Sequence, residues 1–149
     1  MLRPEFVERK LQLITDDLGQ LAPFSALSYE SLINDVLKMA ALERILERII
    51  LRAIDVNEHL ISALATGEEE RTTRLSYRDA FLRLADCGVY SAEFAGQIAP
   101  SAGLRNILVH EYNDVDHRIV FNAIAMTLQQ YTEYVARVRR FVDEYEHGR

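Results

Sequence analysis

The sequence is poor in the residues that build turn-rich, disulfide-stapled or membrane-spanning proteins. Of its 149 residues only 6 are Gly and 3 are Pro, which favours long helices over a β fold with many turns. The single cysteine, Cys87, excludes a disulfide framework within the chain and fits a reducing cytosol. No run of about 18 apolar residues is present, and the first residues lack the apolar stretch of a signal peptide. We therefore expect a cytoplasmic protein with no membrane association.

Positive charge is also scarce relative to negative charge. The chain has 17 Lys and Arg against 23 Asp and Glu, which gives a formal net charge of −6. Proteins that bind long nucleic acid by bulk electrostatics are usually basic, so any action on nucleic acid must be local, brief or confined to short single strands. The length and the 49% hydrophobic content indicate a single globular domain, residues 1–149, with a real core. No internal repeat or domain boundary is evident.

Helical periodicity predicts an all-α, up-and-down bundle of about five helices that includes one very long helix. The first helix runs from about 5 to 21 on an apolar stripe made of Val7, Leu11, Ile14, Leu18 and Leu21. The second begins after Ser28 and meets no helix breaker before Gly67, so it would reach roughly forty residues. The last helix follows a cap at Asp116 and keeps apolar residues at helical spacing over 120–145.

Two shorter helices lie between the second helix and the last. Ser76-Tyr77-Arg78-Asp79 matches a capping box, and the helix that it opens closes at Cys87-Gly88. Ser91 opens the fourth helix, which Pro100 must kink or restart because proline has no backbone N–H. Gly103, just after this break, leaves room for another backbone to approach closely.

The stretch from Gly103 to Tyr112 holds groups from which a metal-free phosphodiester site can be built. Arg105 is a fixed cation, Asn106 an amide, His110 a group that titrates near neutral pH, and Tyr112 a phenol. At about 100° per residue, Asn106 and His110 share a helix stripe, whereas Arg105 and His110 lie about 140° apart. Two groups so placed meet poorly on one phosphate. Either the end of this helix is irregular, or a second copy of the helix completes the site, which is a physical argument for a symmetric dimer with two facing motifs.

Ordinary structural roles stay open for the same residue types. His110 could be a hydrogen-bonded core histidine, and Tyr112 a packing tyrosine with a tethered hydroxyl. His59 is expected to pair with a nearby carboxylate such as Asp55, one turn before it on the second helix. Cys87, just before a helix-closing glycine and with no partner cysteine, is expected to be a structural thiol.

Acidic and histidine side chains also gather near the turn after the motif, where they suggest a metal site at first sight. They are Glu111, Asp114, Asp116 and His117. A single Asp-x-x-His is no paired carboxylate–histidine set, and Asp116 is better used as a helix cap. We therefore expect neither a metal site nor a cofactor.

The octapeptide Arg105-Asn106-Ile107-Leu108-Val109-His110-Glu111-Tyr112 resembles the signature of the HepT-like toxins of the HEPN superfamily. The likeness extends over roughly residues 30 to 130, in the right order. The further segments that carry it are Leu42-Glu43-Arg44 through Asp55 and His59, Ser76-Tyr77-Arg78-Asp79-Ala80-Phe81, Leu84-Ala85, Gly88-Val89 and Val115-Asp116. Such an extended match is far more specific than the octapeptide alone.

The resemblance implies an α-helical, homodimeric, metal-independent endoribonuclease that is the toxin of a toxin–antitoxin pair. Its partner would be an MntA-like nucleotidyltransferase antitoxin, which in that family attaches AMP to the motif tyrosine, here Tyr112. Carried over by position, Arg105 and His110 are catalytic and Asn106 supports them. The alternative hypothesis, slightly favoured by the acidic net charge, is a non-catalytic helical binding partner of a nucleotidyltransferase or of a nucleotide.

Overall fold

The structure, a computed structural model, describes residues 1–69, 74–109 and 116–148. Within these ranges the chain forms seven α-helices, a short 3-10 helix at Ala22–Ala26 and no strand, which confirms the all-α expectation. The α-helices are α1 Pro4–Leu21, α2 Tyr29–Ile33, α3 Val36–Leu64, α4 Tyr77–Asp86, α5 Ala92–Ile98, α6 Ser101–Val109 and α7 His117–His147. None of these helices is long and apolar enough to cross a bilayer.

The long helices α1, α3 and α7 form the body of the bundle. α1 packs against both α3 and α7, while α4 and α6 pack against α3. The predicted stripe on α1 is buried at every position, and each buried Leu or Ile side chain contributes roughly 1.5–3 kcal/mol of transfer free energy. The shorter helices α4, α5 and α6 therefore rest on a core that the long helices build.

The expectation of one continuous helix of about forty residues after Ser28 is wrong. Asn34 adopts φ −90° and ψ 0°, and Asp35 is extended with φ −123° and ψ 95°, so the helix stops between α2 and α3. The Asp35 side chain then accepts the Lys38 N–H at 3.1 Å and caps α3. Asn and Asp side chains compete with the helix for backbone hydrogen bonds and favour helix caps. The pair Asn34-Asp35 therefore indicates a helix break, although the apolar periodicity continues through it. α3 still spans 29 residues.

Other predicted helix ends are confirmed. Ser76, Ser91 and Asp116 each accept a backbone N–H from the first turn of the helix that follows. Gly88 closes α4 with φ of 83°, a left-handed conformation that glycine adopts without a steric penalty. Pro100 divides the predicted fourth helix into α5 and α6, because its ring nitrogen cannot donate to the preceding turn.

The expected pair between His59 and Asp55 does not form. Asp55 instead accepts from Lys10 Nζ of α1 at 2.9 Å. The Nε2 atom of His59 accepts the backbone N–H of Arg3 at 3.0 Å, and its ring lies 4.9 Å from the Phe6 ring. Burial, helped by the Arg3 charge, lowers the pKa of His59, which keeps the ring neutral and able to accept. Tertiary contacts with the N-terminal segment thus override the helical spacing.

Candidate active site

The motif residues Arg105 and Asn106 lie on α6, the nine-residue helix after Pro100. His110 and Tyr112, the other two residues of the predicted site, lie outside the described residues. The structure therefore defines the surroundings of Arg105 and Asn106.

Arg105 is half-buried and rests on an aromatic ring. Its guanidinium carbon lies 5.5 Å from the centroid of the Tyr77 ring, a cation–π distance that stabilises a partly exposed cation by about 0.5–1 kcal/mol. Its Nε atom is buried without a hydrogen-bond partner, and no carboxylate of the described residues forms a salt bridge with it. Within the described part of the chain, the guanidinium is therefore held against an aromatic ring with donors still available, and such donors suit a carboxylate or a phosphate.

Tyr77, the first residue of α4, is a component of the site that the sequence prediction assigned only to a helix start. It is 37% exposed and lines the same cleft as Asn106. Tyr77 and Arg105 are far apart in the sequence, and their contact depends on how α4 packs against α6, so sequence spacing does not predict it. A large aromatic residue among polar neighbours at a helix start is the weak signal that was available.

Asn106 is exposed and lines a cleft of about 750 Å³ between α6 and the segment that leads into α4. The other residues of the cleft wall are Glu58 of α3, Arg74, Leu75, Ser76, Tyr77, Arg78, Ala99, Pro100, Ala102 and Gly103. Asn106 thus lines the cleft directly, whereas Arg105 is connected to it through Tyr77, the lining residue on which its guanidinium rests. A volume of this size is typical of pockets that hold small molecules or segments of larger ligands.

The start of the motif helix is fixed to the core by a serine. Ser101 Oγ donates to the carbonyl oxygen of Ile98 at 2.7 Å and accepts from the Tyr131 hydroxyl at 2.7 Å. Burial raises the pKa of the Tyr131 phenol well above its ordinary value, so this hydroxyl keeps its proton and remains a donor. Tyr131 is fully buried and contacts the ring of Tyr134. The position of α6 therefore depends on an aromatic core anchored in α7.

The opposite side of α6 borders an apolar groove. This groove, of about 390 Å³, is lined by Leu104 and Ile107 of α6 and by Ile119 and Met126 of α7, with smaller and polar residues between them. Ile119 is 41% exposed and Met126 is 52% exposed, so the groove presents large apolar side chains to the solvent beside the motif helix. Gly103 lines both the groove and the polar cleft. A Cβ added there would meet no atom of the described residues within 4 Å, so the predicted close backbone approach is not made among them.

The residues that suggested a metal are only partly described. Asp116 caps α7 through the N–H groups of Arg118 and Ile119, whereas Glu111 and Asp114 lie outside the described residues. His117 contributes a favourable charge interaction to Glu43, whose pKa is nevertheless raised because burial is the larger effect. Within residues 1–69, 74–109 and 116–148, no three His, Cys, Asp or Glu side chains are grouped to hold a metal ion.

Comparison with known proteins gives a consistent result over nearly the whole chain. The model of the family described as "Ribonuclease HepT-like" matches residues 7–138. A curated relative, the tRNA nuclease HepT of Aphanizomenon flos-aquae, is 37% identical over 141 residues, which cover 95% of this chain and 92% of the relative.

Solved structures share the fold at low sequence identity. A tri-AMPylated HEPN toxin of Shewanella oneidensis in complex with its MNT antitoxin superposes with a TM-score of 0.74 at 19% identity, covering 91% of this chain and 97% of the toxin. YutE of Bacillus subtilis, a cytosolic protein of unknown function, superposes with a TM-score of 0.72 at 20% identity, covering 96% of this chain and 92% of YutE. These likenesses establish a HEPN-like helical fold.

Proposed function

The chain belongs to the family of HepT-like ribonucleases, and from that premise we propose that it is the endoribonuclease toxin of a toxin–antitoxin pair, acting without a metal ion. Membership of the family confirms the resemblance and the expectation of a ribonuclease. The observation that carries the proposal is the state of Arg105, whose guanidinium lies on the Tyr77 ring beside a polar cleft, with no carboxylate salt bridge from the described residues.

The proposed reaction uses the ribose of the RNA as the nucleophile. Imidazole is the side chain that gains and loses a proton near neutral pH, and His110 takes the proton of a 2′-OH as its oxygen attacks the adjacent phosphorus. The bond from phosphorus to the 5′ oxygen breaks, and that oxygen takes a proton from solvent water as it leaves, while the protonated His110 gives its proton back to the solvent. The products are a 2′,3′-cyclic phosphate and a 5′-hydroxyl. Arg105 donates to the phosphate oxygens as negative charge develops. Asn106 holds either the imidazole or a phosphate oxygen. DNA lacks the 2′-OH and should not be cut.

We propose that the active site is completed at the interface of a homodimer. The angle of about 140° between Arg105 and His110 on a regular helix separates the two groups too far for one phosphate. The apolar groove beside α6, with Ile119 and Met126 exposed, offers a surface on which a second copy can bury apolar area next to the motif. A two-fold axis at this position would bring two motif helices together.

The proposed partner is a nucleotidyltransferase antitoxin of the MntA type, which would attach AMP to Tyr112. The support is the solved complex of a tri-AMPylated HEPN toxin with an MNT antitoxin, which shares the fold of this chain. Tyr112 lies two residues after His110, so AMP at that position would add bulk and negative charge beside the phosphate-binding groups. Both effects would exclude RNA.

The decisive experiment is cleavage of an end-labelled short RNA in EDTA, with analysis of the product ends. The wild-type protein, prepared without AMP on Tyr112, should cut the RNA and leave cyclic phosphate ends. His110→Ala should abolish cleavage and leave the dimer intact by light scattering. Arg139→Gln, which changes a distant surface pair with Glu8, is a matched control and should cut normally. Cleavage retained by His110→Ala would remove His110 from the mechanism.

The modification site has a separate test. Wild-type protein incubated with the antitoxin and labelled ATP should become labelled and lose its ribonuclease activity, whereas Tyr112→Phe should remain unlabelled and active. Continued labelling of Tyr112→Phe would place the modification elsewhere. Should the unmodified wild type cut no RNA at all and still bind the antitoxin, the alternative of a non-catalytic binding partner would replace the toxin proposal.

A further inference from the structure

The polar cleft beside α6 carries more positive charge than the composition of the chain suggests. Arg74 and Arg78 both line it and are exposed, and neither forms a salt bridge within the described residues. Glu58 is the acidic residue among the lining residues. Among the described residues, the cleft wall thus carries two arginines against one carboxylate, and Arg105 adds a third cation next to the lining residue Tyr77, in a chain of net charge −6.

Elsewhere in the bundle many arginines have acidic partners. Arg44, Arg48, Arg52, Arg137 and Arg139 each form a salt bridge with an Asp or Glu side chain. An exposed cation without such a partner keeps its hydrogen-bond donors available for an incoming anion. Arg74 lies in the segment before α4 and Arg78 in the first turn of that helix, and both line the cleft, where they can present donors to a ligand.

An aromatic ring accompanies these cations. Tyr77 lines the cleft between Arg74 and Arg78 in sequence and remains 37% exposed, although Arg105 covers part of its surface. Unpaired arginines interleaved with an accessible aromatic ring are the combination that binds single-stranded nucleic acid, because phosphates take the cations and an unpaired base stacks on the ring. A protein ligand rich in carboxylates would use the arginines but would gain little from the ring.

We propose that this cleft is a binding subsite for single-stranded RNA next to the cleaved phosphate. Arg74 and Arg78 contact phosphates that flank the scissile bond, and Tyr77 stacks on an unpaired base. A base within a duplex is already paired and stacked, so the subsite discriminates against double-stranded RNA. Local charge of this kind explains how an acidic protein holds RNA. The inference rests on the proposed function, since it assigns the RNA path to the same site.

The test measures RNA binding apart from cleavage. The inactive His110→Ala protein serves as the parent, and fluorescence anisotropy follows a labelled single-stranded RNA over a range of salt concentrations. With a counterion-release slope of about 0.7 per phosphate contact on single strands, losing two contacts should lower the slope by about 1.4. The Arg74→Gln/Arg78→Gln variant should then bind about 25-fold more weakly near 0.1 M salt, if the difference vanishes near 1 M.

A matched control separates specific contacts from the loss of net charge. Arg9 and Arg140 are exposed and do not line the cleft, so Arg9→Gln/Arg140→Gln removes the same charge elsewhere and should keep RNA affinity within about twofold of the parent. Equal weakening by the two double variants would overturn the proposal, because it would reduce the effect to bulk electrostatics. Unchanged affinity in Arg74→Gln/Arg78→Gln would also overturn it and leave the cleft to a protein partner.

Tyr77 provides an independent readout of stacking. Tyr77→Phe keeps the ring and should bind single-stranded RNA as the parent does, whereas Tyr77→Leu should bind at least about fivefold more weakly, the lower limit for a stacked base. A duplex of the same sequence should bind weakly to all three proteins. A duplex that binds as well as the single strand would contradict the stacking role.

These results are distinguishable from failure of the proposed function. If the wild-type protein cuts RNA and the Arg74→Gln/Arg78→Gln variant cuts it with the same KM and the same kcat, the subsite is refuted and the ribonuclease proposal stands. The subsite itself predicts a raised KM with kcat changed by less than about threefold, since neither arginine acts on the reacting atoms. A wild-type protein that binds RNA through these arginines but never cuts would support the subsite and refute the nuclease.

Discussion

The hydrogen bond between Tyr134 and Asn57 offers a quantitative test of the core beneath the motif helix. Both side chains are completely buried. The Tyr134 hydroxyl donates to Asn57 Oδ1 at 2.6 Å and lies 3.2 Å from the carbonyl oxygen of Ala53, while Asn57 Nδ2 has no partner. Tyr134→Phe would therefore leave both polar atoms of a buried amide unsatisfied.

The expected loss of stability follows from that geometry. Leaving a buried acceptor without its donor costs about 1–3 kcal/mol, and we take about 2 kcal/mol for Tyr134→Phe because Asn57 is completely buried. An unfolding entropy of about 2.1 cal/mol/K per residue gives roughly 0.3 kcal/mol/K for a chain of this length. The thermal midpoint should then fall by about 6 °C, which circular dichroism at the helix band measures directly.

A double-mutant cycle shows whether the unsatisfied amide is the cause. Asn57→Leu replaces the amide by an apolar side chain of similar shape, and combining it with Tyr134→Phe removes both partners of the hydrogen bond. The double variant should be more stable than the sum of the single effects predicts, by about 1 kcal/mol or more. Strict additivity within about 0.5 kcal/mol would refute the reasoning, since it would mean that the two side chains contribute independently.

Two further predictions concern the pH dependence of folding and the positioning of the motif helix. His59 accepts the Arg3 N–H only when its ring is neutral, and burial lowers the pKa of the ring below the ordinary 6.5 in the folded protein. As the pH drops through about 6.5, the unfolded chain therefore takes up the proton before the folded protein does, and the free energy of unfolding decreases. Between about pH 7.5 and about pH 5.5, the thermal midpoint of the wild type should decrease more than that of His59→Gln, because the glutamine amide oxygen accepts the Arg3 N–H at either pH. Equal decreases in the two proteins would show that protonation of His59 does not affect folding. Tyr131→Phe removes the donor to Ser101 at the start of α6, so it should lower kcat several-fold with RNA affinity within about twofold of wild type; an unchanged kcat would show that the hydrogen bond does not position the motif.

Much of the secondary structure could be predicted because its causes are local. The apolar stripe on α1, the serine caps of α4 and α5, the break at Pro100 and the aspartate cap of α7 each depend on residues within one turn of the feature. The one large error, a continuous second helix, arose because apolar periodicity continued through Asn34 and Asp35. Their side chains stabilise a local break more than periodicity stabilises continuation.

The candidate site shows the same difference between features with local causes and features that depend on helix packing. Arg105 and Asn106 were identified from the motif, since their spacing to His110 and Tyr112 is a property of the sequence alone, and family membership rests on the sequence as well. The roles of Arg105, Asn106, His110 and Tyr112 all remain predictions, and His110 and Tyr112 also lie outside the described part of the structure. Tyr77, by contrast, was predicted only as part of a helix cap, although its ring carries the Arg105 guanidinium.

Sequence by itself determined the helical class, most helix ends, the ribonuclease family and the motif residues, because each depends on neighbouring residues or on an ordered pattern along the chain. Tertiary structure decided which distant side chains meet. It gave His59 a partner in the N-terminal segment, connected the motif helix to Tyr131 and placed Arg74, Tyr77 and Arg78 around the cleft that Asn106 lines. Such contacts depend on how the helices pack, which no local spacing encodes, because side chains far apart in sequence become neighbours only when the core is buried.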